Sequence, residues 1–190
     1  MSRMQKNRFS KLLLLIGLFV LGGIFLLSGC ASAPKTLNPT VTGPQVIVNP
    51  ESISLGVAKL KDTQIVFEGS GFKPADYVFI TLFGPNKTEA NVGSGEVGPD
   101  GKFTAAVDMM TKVTKILKAT VSGKYANGSY DRFIVITEPP IPAGTYTAKA
   151  TSVSSNQTAE TKLIINEPSI GDSLKDWLGK KMGKIIDERP

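Results

Sequence analysis

The chain contains no histidine, one cysteine and one tryptophan in 190 residues. Without histidine the commonest general base is missing. A single thiol can neither close a disulfide within the chain nor supply the several Cys and His ligands of a zinc site. Serine or threonine nucleophiles would need an activating lysine or carboxylate, and no motif specifies such a pair. Asp76, Asp100, Asp108, Asp131 and Glu138 could be gathered by a fold for acid–base work, but any chain with this many acids permits that. "GSGEVG" at 93–98 repeats glycine, yet a strand is expected after it, where a phosphate loop would open a helix. No run carries the spaced acids and glycine of an EF-hand, and the sequons at Asn86, Asn127 and Asn156 are read as chance. The expectation is a protein that is not an enzyme and binds no metal and no dissociable cofactor.

What is present begins with Arg3, Lys6, Arg8 and Lys11, then an apolar stretch from Leu12 to Leu27, which is the order of a secretory signal. Ser28 and Gly29 are small enough for a peptidase to reach the backbone, and Cys30 follows. Leu27-Ser28-Gly29-Cys30 resembles the lipobox of bacterial lipoprotein precursors. The resemblance implies cleavage between Gly29 and Cys30, a diacylglyceryl group on the Cys30 sulfur, and usually an acylated new amino terminus. Several acyl chains, at about 0.8 kcal/mol per buried methylene, hold a protein on a bilayer far better than one. An uncleaved signal anchor is the alternative, although the apolar run is shorter than the roughly 20 residues a spanning helix needs. Either way residues 31 onward are expected outside the cytoplasm. Ala31, where an aspartate would signal retention in enteric bacteria, implies the outer membrane in that lineage and otherwise the outer face of the cytoplasmic membrane.

Removing the four leader cations from the 22 basic residues leaves 18 against 16 acids, a net of +2. The basic pI is therefore mostly a targeting feature, and no nucleic-acid partner is expected. The organisation read from the chain is a signal peptide over 1–29, a lipidated Cys30 with a flexible tether over 30–44, a β domain over 45–167 and an amphipathic helix over 168–190. Three prolines and three threonines in "ASAPKTLNPTVTGP" give the tether little to pack, and fully extended it reaches about 45 Å.

From Gln45 the hydrophobic period becomes two. Ile65 and Phe67 share a face, as do Val78, Ile80 and Leu82, then Phe103, Ala105 and Val107, then Tyr146, Ala148 and Ala150, then Ala159, Thr161, Leu163 and Ile165. Turn residues separate these runs at "GSGFKPAD", "GPDGK", "PPIPAG" and "SSNQ". Short strands at this spacing predict a mainly β chain, an antiparallel sandwich of two sheets. "EGSGFKPADYVFITLFG", "GPDGKFTAAVD" and "IPAGTYTAKATSVSSNQTAETKLIIN" are similar to bacterial immunoglobulin-like domains of the IPT/TIG-like group. The resemblance implies an immunoglobulin-like sandwich over 45–167 and a tyrosine corner at Tyr146, with Ala148 where antibody domains carry cysteine.

Residues 108–138 exceed the connection the simplest such domains have. Met109, Met110, Val113, Ile116 and Leu117 recur at helical spacing, and a hairpin is expected around Asn127-Gly128. This insertion is expected to cover the aromatic face formed by Tyr77, Phe79 and Phe83, which could otherwise mark a binding sheet. At the C-terminus Leu174, Trp177, Leu178, Met182 and Ile185 keep a 3.6-residue period with lysines mostly opposite, predicting a helix through Ile186 capped by Asp172 or Ser173. Its apolar stripe could pack on the domain as a lid, lie in a lipid surface or dock on another protein. The functional expectation is a lipid-anchored, non-catalytic envelope protein that serves binding, adhesion or display toward a protein or envelope polymer. The alternative is an accessory subunit of an envelope complex, docking through that helix.

Overall fold

The computed structural model describes residues 33–126 and 128–189. The expected signal segment, the cleavage site at Gly29 and Cys30 lie outside them. Strands β1 (Gln45–Asn49), β3 (Val66–Ser70) and β6 (Phe103–Ala106) form one antiparallel sheet in the order β1-β3-β6. A five-stranded sheet has the order β2-β10-β9-β4-β5, built from β2 (Ser52–Ser54), β4 (Tyr77–Phe83), β5 (Glu89–Glu96), β9 (Gly144–Ser152) and β10 (Thr158–Asn166). The first strand changes sheets between Asn49 and Ser52: β1 pairs antiparallel with β3, and β2 continues parallel to β10. The two sheets share one core, which makes the domain an immunoglobulin-like β-sandwich.

Alternation along each strand produces that core. Val78, Ile80 and Leu82 of β4 are fully buried, and their partners across the ladder to β9 include Ala150 opposite Ile80 and Ala148 opposite Leu82. Phe67 and Val48 of the other sheet are fully buried in the same cluster. Each large apolar side chain so buried contributes about 1.5–3 kcal/mol. Tyr146, fully buried, donates its hydroxyl to the Pro142 carbonyl at 2.7 Å, closing the expected tyrosine corner. Its ring leaves no space at Gly84, where a Cβ would stand 2.1 Å from the ring. At the other end of the strands, buried Asp76 ties the turn before β4 to the β9–β10 turn. It accepts from the amides of Tyr77, Ser154 and Ser155 and from the Ser155 hydroxyl. Those donors, the Ser154 amide foremost, hold its carboxyl far below the usual carboxylate range.

The insertion begins with helix α2 (Met109–Thr111), capped by Asp108, and continues as a π-helical turn over Lys112–Ile116. Hairpin β7 (Ala119–Ala126) and β8 (Ser129–Ile136) follows. Val113, Ile116, Leu117 and Ile134 join the core. A short helix not expected from the sequence, α1 (Val57–Asp62), buries Val57 and Leu60. Buried Lys112 donates to the carbonyls of Lys61 and Thr63 at the C-terminal end of α1, at 2.7 and 2.8 Å.

The expected tether is tied down over part of its length. The Asn49 side chain pairs with both the amide and the carbonyl of Lys35, and the Gln45 side chain does the same for Asn38. Lys35 also pairs with Glu51. Two primary amides on β1 read two backbone positions as a neighbouring strand would, which replaces the hydrophobic contacts this segment lacks.

The C-terminal segment departs further from expectation. Helix α3 (Ile170–Lys181) ends five residues before Ile186, and its cap is Ser169, whose side chain accepts from the Asp172 amide while Asp172 accepts from the Ser169 amide. Gly183, at φ +68°, turns the chain, and β11 (Ile185–Asp187) runs parallel to β8, so the third sheet has the order β11-β8-β7. A left-handed residue ends a helix at little cost only when it is glycine, and β-branched "II" then fits a ladder better than another helical turn. Ile185, expected on the docking face, is instead buried against Gly179 in the core.

Candidate functional site

Among the described residues, exposed apolar side chains gather on α3 and on β4, and the reason differs for each. α3 meets the domain through its acids. Asp172 accepts from the Ser54 hydroxyl at 2.7 Å, and the two carboxylate oxygens of Asp176 accept from the amides of Val57 and Ala58 at 2.9 and 2.8 Å. Those amides open α1, whose own N-cap position is Gly56 and offers no side chain. The cap of α1 thus comes from a residue more than a hundred positions away, and opposite charge at a helix N-terminus is favourable. Gly56 is what lets α3 approach, since a Cβ there would lie 2.6 Å from the Asp172 Cβ. Burial pushes the Asp172 carboxyl up, but the bonds from Ser54 and Ser169 outweigh it and hold the group below its usual range.

With its polar face turned inward, α3 presents its apolar stripe to solvent. Ile170, Leu174, Trp177, Leu178 and Met182 are 46–92% exposed. Four of the five residues expected on a docking face, Leu174, Trp177, Leu178 and Met182, therefore share one exposed surface; Ile185 does not. The lid reading is overturned, because the polar face packs on the domain. Lys181 stands over the Trp177 ring with its ammonium 5.9 Å from the centroid. Asp187, in β11, accepts from Arg189 and Lys180, which hold its carboxyl far below the usual range.

The second surface is the outer face of the five-stranded sheet. Tyr77, Phe79 and Phe83 are 40–44% exposed, so the expected cover from residues 109–137 is not there. The insertion places Val113, Ile116, Leu117 and Ile134 in the core instead. Tyr77 and Phe79 meet edge to face with centroids 5.5 Å apart, and the Tyr77 hydroxyl lies 3.1 Å from the Ser94 hydroxyl. Polar partners flank the row: Ser94 and Thr151 beside Phe79, Asn91 and Lys149 beside Thr81, Glu89 and Thr147 beside Phe83.

Four of the five acids considered for catalysis serve separate structural tasks, and Glu138 lies exposed. Asp76 joins two turns, Asp100 accepts from the Lys102 amide within its turn, Asp108 caps α2 and Asp131 pairs with Lys184. Among the described residues no cluster of three or more His, Cys, Asp or Glu side chains could hold a metal ion. No helix among them is long and apolar enough to cross a membrane.

No family model and no curated protein matches the sequence. Among solved structures the chain is similar to macromomycin at 16% identity and a TM-score of 0.35, over 65% of this chain and 99% of that one.

Proposed function

We propose that this is a lipid-anchored, non-catalytic protein of the bacterial cell envelope, with an IPT/TIG-like sandwich that serves binding, adhesion or structural display. The anchor rests on Leu27-Ser28-Gly29-Cys30 behind a basic and apolar leader. The observation that carries the binding role is the uncovered row of Tyr77, Phe79 and Phe83 in a ladder of polar neighbours. Aromatic rings with flanking hydroxyl, amide and charged groups suit a partner with both apolar and hydrogen-bonding faces, as an envelope polysaccharide or a protein strand has. The Ig-like scaffold holds that row rigidly because the opposite face of the same strand is the core.

Intact mass spectrometry of the protein purified from a bacterial membrane fraction tests the anchor. The expected mass is that of residues 30–190 plus a diacylglyceryl group, with or without a third acyl chain, and Cys30→Ala should accumulate as uncleaved precursor. A mass matching the whole chain overturns the anchor. For the sandwich, Phe79→Ser with Phe83→Ser should abolish binding to envelope fragments stripped of lipid by detergent while its unfolding transition stays in place; unchanged binding overturns the role given to the aromatic row.

A further inference from the structure

We infer that the outward stripe of α3 lies on the surface of the bilayer that carries the Cys30 lipid, held there by apolar contact and by attraction to anionic headgroups. The inference rests on the anchored reading above.

The stripe cannot turn inward, because Asp172 and Asp176 bind the opposite side of α3 to Ser54 and to the first amides of α1. Chain lengths bound the reach from the anchor to the domain. Cys30 is five residues from Lys35, a span of at most about 17 Å. Lys35 is bonded to Asn49 and paired with Glu51. Glu51 is three residues, at most about 10 Å, from Ser54, whose hydroxyl is bonded to Asp172 in the first turn of α3. A lipid on Cys30 therefore keeps the domain within a short chain's reach of the headgroups. A tether free through residue 44 would not have imposed this.

Charge points the same way. The aspartates face away from such a surface or are paired: Asp172 and Asp176 keep their charge on the side of α3 that meets the domain, and Asp187 is paired with Lys180 and Arg189. Among the described residues, Lys175 and Lys181 beside the stripe form no ion pair with a carboxylate. Tryptophan beside lysine on an exposed apolar stripe fits the boundary between acyl chains and headgroups, where the ring is partly apolar and the ammonium stays wet. Twelve residues make a helix of about 18 Å, which can lie in that boundary but not span it.

Because Trp177 is the only tryptophan, its fluorescence reports on this helix alone. The full protein is reconstituted into phosphatidylcholine vesicles with and without phosphatidylglycerol, some carrying doxyl-labelled lipid, and the mass of the same sample records whether Cys30 is lipidated. The expected result is blue-shifted Trp177 emission, quenched by doxyl lipid, strongest with phosphatidylglycerol. Leu174→Asp with Leu178→Asp should abolish the quenching. Lys175→Glu with Lys181→Glu should weaken the phosphatidylglycerol-dependent association roughly tenfold or more. Lipidated protein with solvent-exposed, unquenched Trp177 overturns the inference and spares the anchor. Unquenched but blue-shifted emission that rises with protein concentration, or on adding a partner protein, also overturns it, assigning the stripe to a second copy or a partner. Quenching without lipid on Cys30 keeps the helix on the bilayer and overturns the anchor instead.

Discussion

Strand β4 and helix α3 each carry an apolar face and a polar one, and they are built in opposite senses. β4 turns Val78, Ile80 and Leu82 into the core and shows solvent its aromatic residues; α3 turns Asp172 and Asp176 inward and shows solvent Leu174, Trp177 and Leu178. In β4 burial drives placement, because each inward side chain gains by leaving water and the backbone is already paired on both sides. In α3 the decisive partners are polar groups that would otherwise go unmet. These are the first amides of α1, which has no cap of its own, and the Ser54 hydroxyl. The lesson is that hydrophobic periodicity locates a face without saying which way it points. Direction is set by whichever neighbour has the larger unmet need, an apolar core or an uncapped helix.

Substitution of Tyr146 should cost the sandwich most. Tyr146→Ala should cost about 3–5 kcal/mol, read as a shift in the urea midpoint, because it empties a fully buried site between Gly84 and the core. Tyr146→Phe should cost about 1–3 kcal/mol, since only the bond to the Pro142 carbonyl is lost. Equal costs for the two would mean that the hydroxyl, and not the packing, holds this corner. Asp176→Ala probes the α3 side with a smaller effect, about 0.5–2 kcal/mol, the usual range for an N-cap. Its signature is local: faster amide exchange at Val57 and Ala58 with the β4 and β9 amides unchanged. Uniform loss of protection across both sheets would show that α3 is part of the sandwich's cooperative unit.

Most of the sandwich was legible because its signals are local. Alternation in "YVFITLF" and "TYTAKAT", the glycine and proline turns and the position of Tyr146 each follow from a few adjacent residues. α1 was not legible, for its six residues show no cap and the one they use lies at Asp176. The end of α3 was misplaced because Ile185 and Ile186 fit the helical period as well as they fit a strand. Only pairing with β8 decides between them. The inward turn of Asp172 and Asp176 depends on Ser54 and α1, so a helical wheel drawn from the sequence could find the stripe but not its exposure. The aromatic row was expected to be covered on the general ground that monomers seldom expose such patches. The insertion instead spends Val113, Ile116 and Leu117 on the core.

The smallest effect is expected on α3. Leu178→Ser removes an apolar side chain of the same size as Leu82, yet it should cost no more than about 1 kcal/mol, because Leu178 is 46% exposed in the folded chain where Leu82 is fully buried. Leu82→Ser should unfold the domain at a much lower urea concentration, having both lost burial and placed an unpaired hydroxyl in the core. Measured side by side in protein without lipid, the two variants separate apolar residues that hold the fold from those the fold holds out. A large loss at Leu178 would mean that the stripe is covered by the protein itself, and nothing would then be left on α3 for a membrane to bind.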